Sequence, residues 1–130
     1  MPIIKNFTLP SSAKKLILPN GPESKLFVAF IASPDPITKQ PWCPDVRAVL
    51  PYLSKAFAGG DTPTVALVEV GQKPEWKDPQ NDYRTIWGIK GIPSLVRYQQ
   101  VDGEVTETGR ILDDEILKPG GSEKLYAFIS

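Results

Sequence analysis

The chain has 130 residues, 15 Lys and Arg against 15 Asp and Glu, and no histidine. That length suits a single domain, residues 1-130, with enough chain to bury a core, and the even charge offers no basic field to nucleic acid. Without imidazole there is no Ser-His or Cys-His nucleophile pair and no zinc site that uses histidine, while one cysteine, Cys43, rules out an internal disulfide and fits a reducing compartment.

The start, Met1 to Asn6, lacks the apolar run of a signal peptide, and no later segment is long and apolar enough for a membrane helix. A soluble cytoplasmic monomer with no membrane partner is therefore expected. Ile3 to Leu9 alternates weakly and predicts a first strand; Pro10-Ser11-Ser12 opens a short helix to Leu18, ended by Pro19-Asn20-Gly21-Pro22. Lys25 to Ala32 is almost continuously apolar, too short for a helix and rich in β-formers, so it predicts a strand buried on both faces. Ser33 to Pro41 is a proline-rich loop. With 14 prolines in all, the chain is rich in stiff connections.

The loop delivers Trp42-Cys43-Pro44-Asp45-Val46. Proline after the cysteine suits the first turn of a helix, where a missing N–H costs nothing. Val46, Val49, Leu50, Leu53 and Phe57 then recur at helical spacing, with Gly59-Gly60 as the stop and a kink expected at Pro51. Cys43 thus stands at a helix N-terminus, whose free N–H groups and dipole favour a thiolate. Asp45, if ionised near the sulfur, opposes that effect. The chemistry suggested is thiol–disulfide exchange, with Cys43 catalytic.

Thr64 to Val70 is a second buried strand, so strand, helix and strand make a parallel βαβ unit. Gly71 to Arg84 is rich in turn residues; Asn81 caps a short helix from Asp82 to Trp87, stopped by Gly88. Pro93 heads a third strand, one of the few strand positions where proline is tolerated. Val101-Asp102-Gly103 predicts a hairpin turn before the strand Glu104 to Thr108. Leu112 to Leu117 predicts a helix, and Ser122 a cap for a last one that turns Leu125, Phe128 and Ile129 inward.

Trp42-Cys43-Pro44-Asp45 followed by Pro51, together with Gly71-Gln72-Lys73-Pro74-Glu75-Trp76-Lys77-Asp78-Pro79-Gln80-Asn81-Asp82-Tyr83-Arg84, resembles the thioredoxin-related 14-kDa protein family of the thioredoxin-like superfamily. The likeness covers roughly residues 25 to 100. It implies an α/β, thioredoxin-like fold with a central mixed β-sheet flanked by helices, and a cis bond at Ile92-Pro93 facing Cys43. Ile92 and Pro93 then form a substrate groove, and Trp76 either lines that groove or covers the sheet edge. The family's active site reads Trp-Cys-Pro-Asp-Cys, and here Val46 stands where the resolving cysteine should be. At the place of the buried acid of ordinary thioredoxins, the resemblance aligns Ala29.

Three readings follow. The first is a monothiol relative of protein-disulfide reductases: Cys43 attacks protein or small-molecule disulfides and an external thiol resolves the product. Such a protein needs no bound cofactor or metal; glutathione is the candidate resolving thiol, and the glutathione system or thioredoxin reductase the source of electrons. The second is a thioredoxin-like peptide-binding module without turnover. The third, a metal or iron–sulfur site bridged between two chains, ranks last because the monothiol glutaredoxin signature Cys-Gly-Phe-Ser is absent.

Overall fold

Leu26–Ile31 forms β2, and all six of its apolar residues are buried. The computed structural model describes residues 3–5, 7–59 and 62–130. Met1, Pro2, Asn6, Gly60 and Asp61 lie outside it. Part of the stretch read as free of a signal peptide, part of the predicted first strand and one of the two expected stop glycines fall on these residues. Beside β2 lies β3 (Thr64–Glu69), parallel, with Phe27 opposite Val65 and Ala29 opposite Leu67. On its other side β4 (Ser94–Val101) runs antiparallel, and β5 (Glu104–Leu112) pairs antiparallel with β4. The short β1 (Ile3–Ile4) lies parallel against β3, giving the order β1-β3-β2-β4-β5.

Because side chains alternate along a strand, β2 divides its residues between two cores. Phe27, Ala29 and Ile31 join one with Val46, Val49, Leu53 and Ala56 of α1 (Pro44–Ala56). The same core takes Ile116 of α4 (Asp113–Leu117) and Leu125 and Ile129 of α5 (Gly121–Ile129). Leu26, Val28 and Phe30 join the other core with Leu16, Leu18, Trp76, Trp87 and Ile89. That face is covered by a 3-10 turn at Ala13–Lys15, by α2 (Lys73–Lys77) and by α3 (Asp82–Thr85). The rings of Tyr83, Trp87 and Tyr98 stack by their edges around Phe30 and one another.

Several elements depart from the sequence expectation. The first strand spans only two residues, and the helix expected up to Leu18 is a single 3-10 turn, which leaves Leu16 and Leu18 to plug the second core from extended chain. The helix α1 passes through Pro51 without ending and caps at Phe57, short of Gly59. The first helix in the 71–84 stretch, α2, went unpredicted. Beyond Asn81, α3 stops at Thr85 rather than Trp87, and Gly88 takes the left-handed φ of 66°. Asp102 and Gly103 are both left-handed, as a tight two-residue hairpin requires.

Strand β5 continues past the predicted end at Thr108, because the register shifts between Arg97 and Tyr98 and absorbs one extra residue. Arg97 fills that bulge: Nε donates to Thr108 Oγ1 at 3.0 Å, Nη2 to Thr108 O at 2.8 Å and Nη1 to Phe128 O at 3.1 Å. The last helix is capped by Gly120, at φ 82°, and not by Ser122. A side chain on Gly121 would lie 1.9 Å from Ile116 O, so the glycine lets α5 begin directly against α4.

Candidate active site at the start of the first long helix

Cys43 is the N-cap of α1, with φ −89° and ψ 122°. Its carbonyl accepts the N–H of Arg47 at 3.2 Å, the first turn of the helix, and its side chain is half-buried against the α1 core. Trp42 rests on both cores and donates its indole N–H to Gly71 O at 2.9 Å. Trp42 N donates to Ser33 O at 3.3 Å, Ser33 N to Gly71 O at 3.2 Å and Gly71 N to Ser33 Oγ at 3.0 Å. Arg47 Nη1 reaches back to Pro41 O at 2.6 Å. The cysteine is thus set on a junction between the end of β2, the end of β3 and the start of α1.

Pro44 and Asp45 are exposed in the first turn, whereas Val46 has no exposed surface and packs in the α1 core. The position one turn on from the thiol is therefore closed and apolar. Ala29 is fully buried in that same core and carries no carboxyl.

The bond Ile92-Pro93 is cis. Ile92 rests on both cores, as Trp42 does, and Cys43 rests on the first of them. Pro93 is buried ahead of β4, where Ser94 Oγ fastens the turn by donating to Gly91 O at 2.6 Å.

Trp76 is a correction. It is 4% exposed in the second core, its outer face closed by the Arg84 guanidinium at 3.8 Å from the ring centroid. Arg84 Nε also donates to Trp76 O at 2.6 Å. The ring supports the sheet face opposite α1 and does not line a groove.

One residue near the site was missed. Asp113, first in α4, lies near the Asp45 side chain, and burial first and the Asp45 carboxyl second raise it above the ordinary carboxylate value. The only signal in the sequence was an aspartate opening a helix directly after a strand. Among the described residues, no three of His, Cys, Asp and Glu converge as metal ligands, and no helix is long and apolar enough to cross a membrane.

Residues 10–120 match the family described as thioredoxin domain-containing protein 17-like, thioredoxin domain. A thioredoxin domain-containing protein of Schizosaccharomyces pombe is 44% identical over 92 residues, 71% of this chain and 74% of the relative. The thioredoxin-like protein Clot of Arabidopsis thaliana is 33% identical over 118 residues, 86% of this chain and 84% of its own. The crystal structure of a Plasmodium falciparum thioredoxin superposes with a TM-score of 0.53, covering 84% of this chain and 74% of that one. At 15% identity, this last likeness speaks for the thioredoxin-like fold alone.

Proposed function

The chain belongs to the thioredoxin domain-containing protein 17-like family, and from that premise we propose that it performs thiol–disulfide exchange with one active-site thiol, Cys43. The observation that carries this reading is the contrast one helical turn apart. Cys43 is partly open at the N-cap, while Val46 is sealed in the core.

The Cys43 thiolate attacks one sulfur of a substrate disulfide; that S–S bond breaks, a mixed disulfide forms and the second substrate sulfur leaves as a thiol after taking a proton. Val46 has no sulfur to complete the exchange. An external thiol, with glutathione as the candidate, displaces the substrate from Cys43, and a second frees Cys43 and leaves as the oxidised pair. Two external thiols are oxidised for each substrate disulfide reduced. Ile92 and Pro93 supply the groove wall, where the backbone of residue 92 pairs with an extended peptide. The protein works as a monomer in the cytoplasm, drawing electrons from the glutathione system.

Native Cys43 should alkylate with iodoacetamide and form a mixed disulfide with oxidised glutathione. With thioredoxin reductase but no glutathione, insulin reduction should be slight. Val46→Cys should form an internal disulfide, counted by free thiols after mild oxidation, and raise insulin reduction clearly. A thiol that reacts only after denaturation defeats the proposal. A Val46→Cys protein that forms its disulfide yet stays inactive favours the peptide-binding module. Wild-type turnover matching the variant without glutathione removes Val46 as the limiting residue.

A further inference from the structure

Pro19-Asn20-Gly21-Pro22 is the turn that carries the chain from the buried Leu18 toward β2, and all four of its residues are exposed. Asn20 N donates to Ser24 Oγ at 3.2 Å, while Gly21 O accepts from Ser24 N at 3.1 Å and from Ser24 Oγ at 2.8 Å. These bonds close the turn through backbone atoms and the serine hydroxyl. Among the described residues, no hydrogen bond holds the Asn20 carboxamide or the Gly21 N–H. Gly21 has φ 95°, and beyond its chain neighbours no heavy atom lies within 4 Å of where a β-carbon would stand. The amide carbon of Asn20 and the nitrogen of the next residue are thus adjacent in the chain, open to water and unshielded by a side chain.

Asn81 is the contrast inside the same chain. Its Nδ2 donates to Glu75 O at 3.0 Å and to Val70 O at 3.4 Å, its Oδ1 accepts from Tyr83 N at 2.9 Å, and the next residue, Asp82, opens α3. Both ends of that carboxamide are tied, and turning it onto the Asp82 nitrogen breaks those bonds. The Asn20 carboxamide has no such ties.

We propose that Asn20-Gly21 is a self-modifying site, where the asparagine of the folded protein is converted to aspartate and isoaspartate with water as the only co-reactant. The Gly21 nitrogen bonds to Cγ of Asn20; the Cγ–Nδ2 bond breaks, and ammonia leaves with the proton shed by the Gly21 nitrogen. The five-membered imide so formed takes up water at either carbonyl. Opening on one side leaves aspartate, and opening on the other leaves isoaspartate, whose main chain runs through the β-carbon. Nothing is oxidised or reduced. Either product carries a carboxylate, so a chain with a formal net charge of zero becomes anionic. In isoaspartate the main chain is also one carbon longer, which alters the span that the bond from Asn20 N to Ser24 Oγ closes. The site does not depend on the role of Cys43.

Trypsin separates the three asparagines of the chain onto different peptides, with Asn20 on residues 16–25 and Asn81 on residues 78–84. The full-length protein and its Asn20→Gln and Gly21→Ala variants are held folded in mildly alkaline buffer, sampled over weeks and read by peptide mass, with isoaspartate counted by enzymatic carboxyl methylation. In the wild type the 16–25 peptide should gain acid at least roughly tenfold faster than the 78–84 peptide, with isoaspartate the larger product. Gly21→Ala, which sets a β-carbon beside the attacking nitrogen, should slow the conversion roughly tenfold, and Asn20→Gln should abolish it. A wild-type 16–25 peptide that stays unchanged overturns the proposal. So does conversion at Asn81 as fast as at Asn20, or a Gly21→Ala rate equal to that of the wild type.

Discussion

The sheet face under α1 and the face under α2 bury alternate residues of the same strand, yet their covers are built differently. Over Phe27, Ala29 and Ile31 lie α1 and α5, whose buried side chains recur every three or four residues, with Ile116 of the short α4 between them. Over Leu26, Val28 and Phe30 lie one 3-10 turn, two short helices and extended chain, with aromatic rings as the filling. Helices of four or five residues cannot persist alone. Their shape depends on bonds such as those from Asn81 Nδ2 to Glu75 O at 3.0 Å and from Tyr83 N to Asn81 Oδ1 at 2.9 Å. The helical face therefore stands on apolar periodicity and the other on aromatic volume pinned by polar side chains. The thiol rests on the first core, and Trp42 beside it packs on both.

The largest test of this contrast removes one ring from each face. Phe27, between Phe57 and Phe128, and Phe30, between Tyr83 and Trp87, are both fully buried. Replacing either by alanine should cost about 3–5 kcal/mol in urea unfolding. A loss under about 1 kcal/mol at either position means that face collapses into the vacated space and is not packed as described.

A sharper test compares polar side chains. Asn81→Ala should cost about 1–2 kcal/mol, because it removes a cap and frees carbonyls at the end of α2. Glu115→Ala, on the helical face, removes a bond from Leu112 N at 3.2 Å and the pairing with Lys124, which holds Glu115 below its ordinary value. That pair is solvent-screened, so the cost should stay below about 1 kcal/mol. The reverse order would break the distinction between the faces.

The smallest effect concerns Asp45 and Asp113. A carboxyl raised in the folded state contributes stability that is complete below its unfolded value and lost as pH rises through its folded one. Asp45→Asn should therefore draw Asp113 back toward 3.8 and stabilise the protein at neutral pH by less than about 1 kcal/mol. Carboxyl-carbon NMR titration reads the change directly, and an unmoved Asp113 would leave burial and the Asp114 charge as its causes.

What the sequence displayed follows the same division. The α1 core residues and the buried strands were legible because period and composition agree there: Val46, Val49 and Leu53 point one way and β2 has no polar residue. Leu16, Leu18 and Trp76 were not, because a side chain plugging a core from a turn leaves no period to detect. The continuation of β5 beyond Thr108 escaped notice for a related reason: Gly109 looks like a stop until Arg97, a strand away, is seen to need its missing side chain. At the site, Cys43 was placed by local rules alone, whereas Asp113 reaches Asp45 only through the packing of α4 on α1.

The bonds joining Ser33, Trp42 and Gly71 couple three segments so that none opens by itself. The amide protons of Ser33, Trp42 and Gly71 should then exchange with deuterium as one cooperative unit. If a group attached to the sulfur strains Trp42, all three should speed together, and the amide of Gly71, just past β3, would report the state of Cys43 from a different strand.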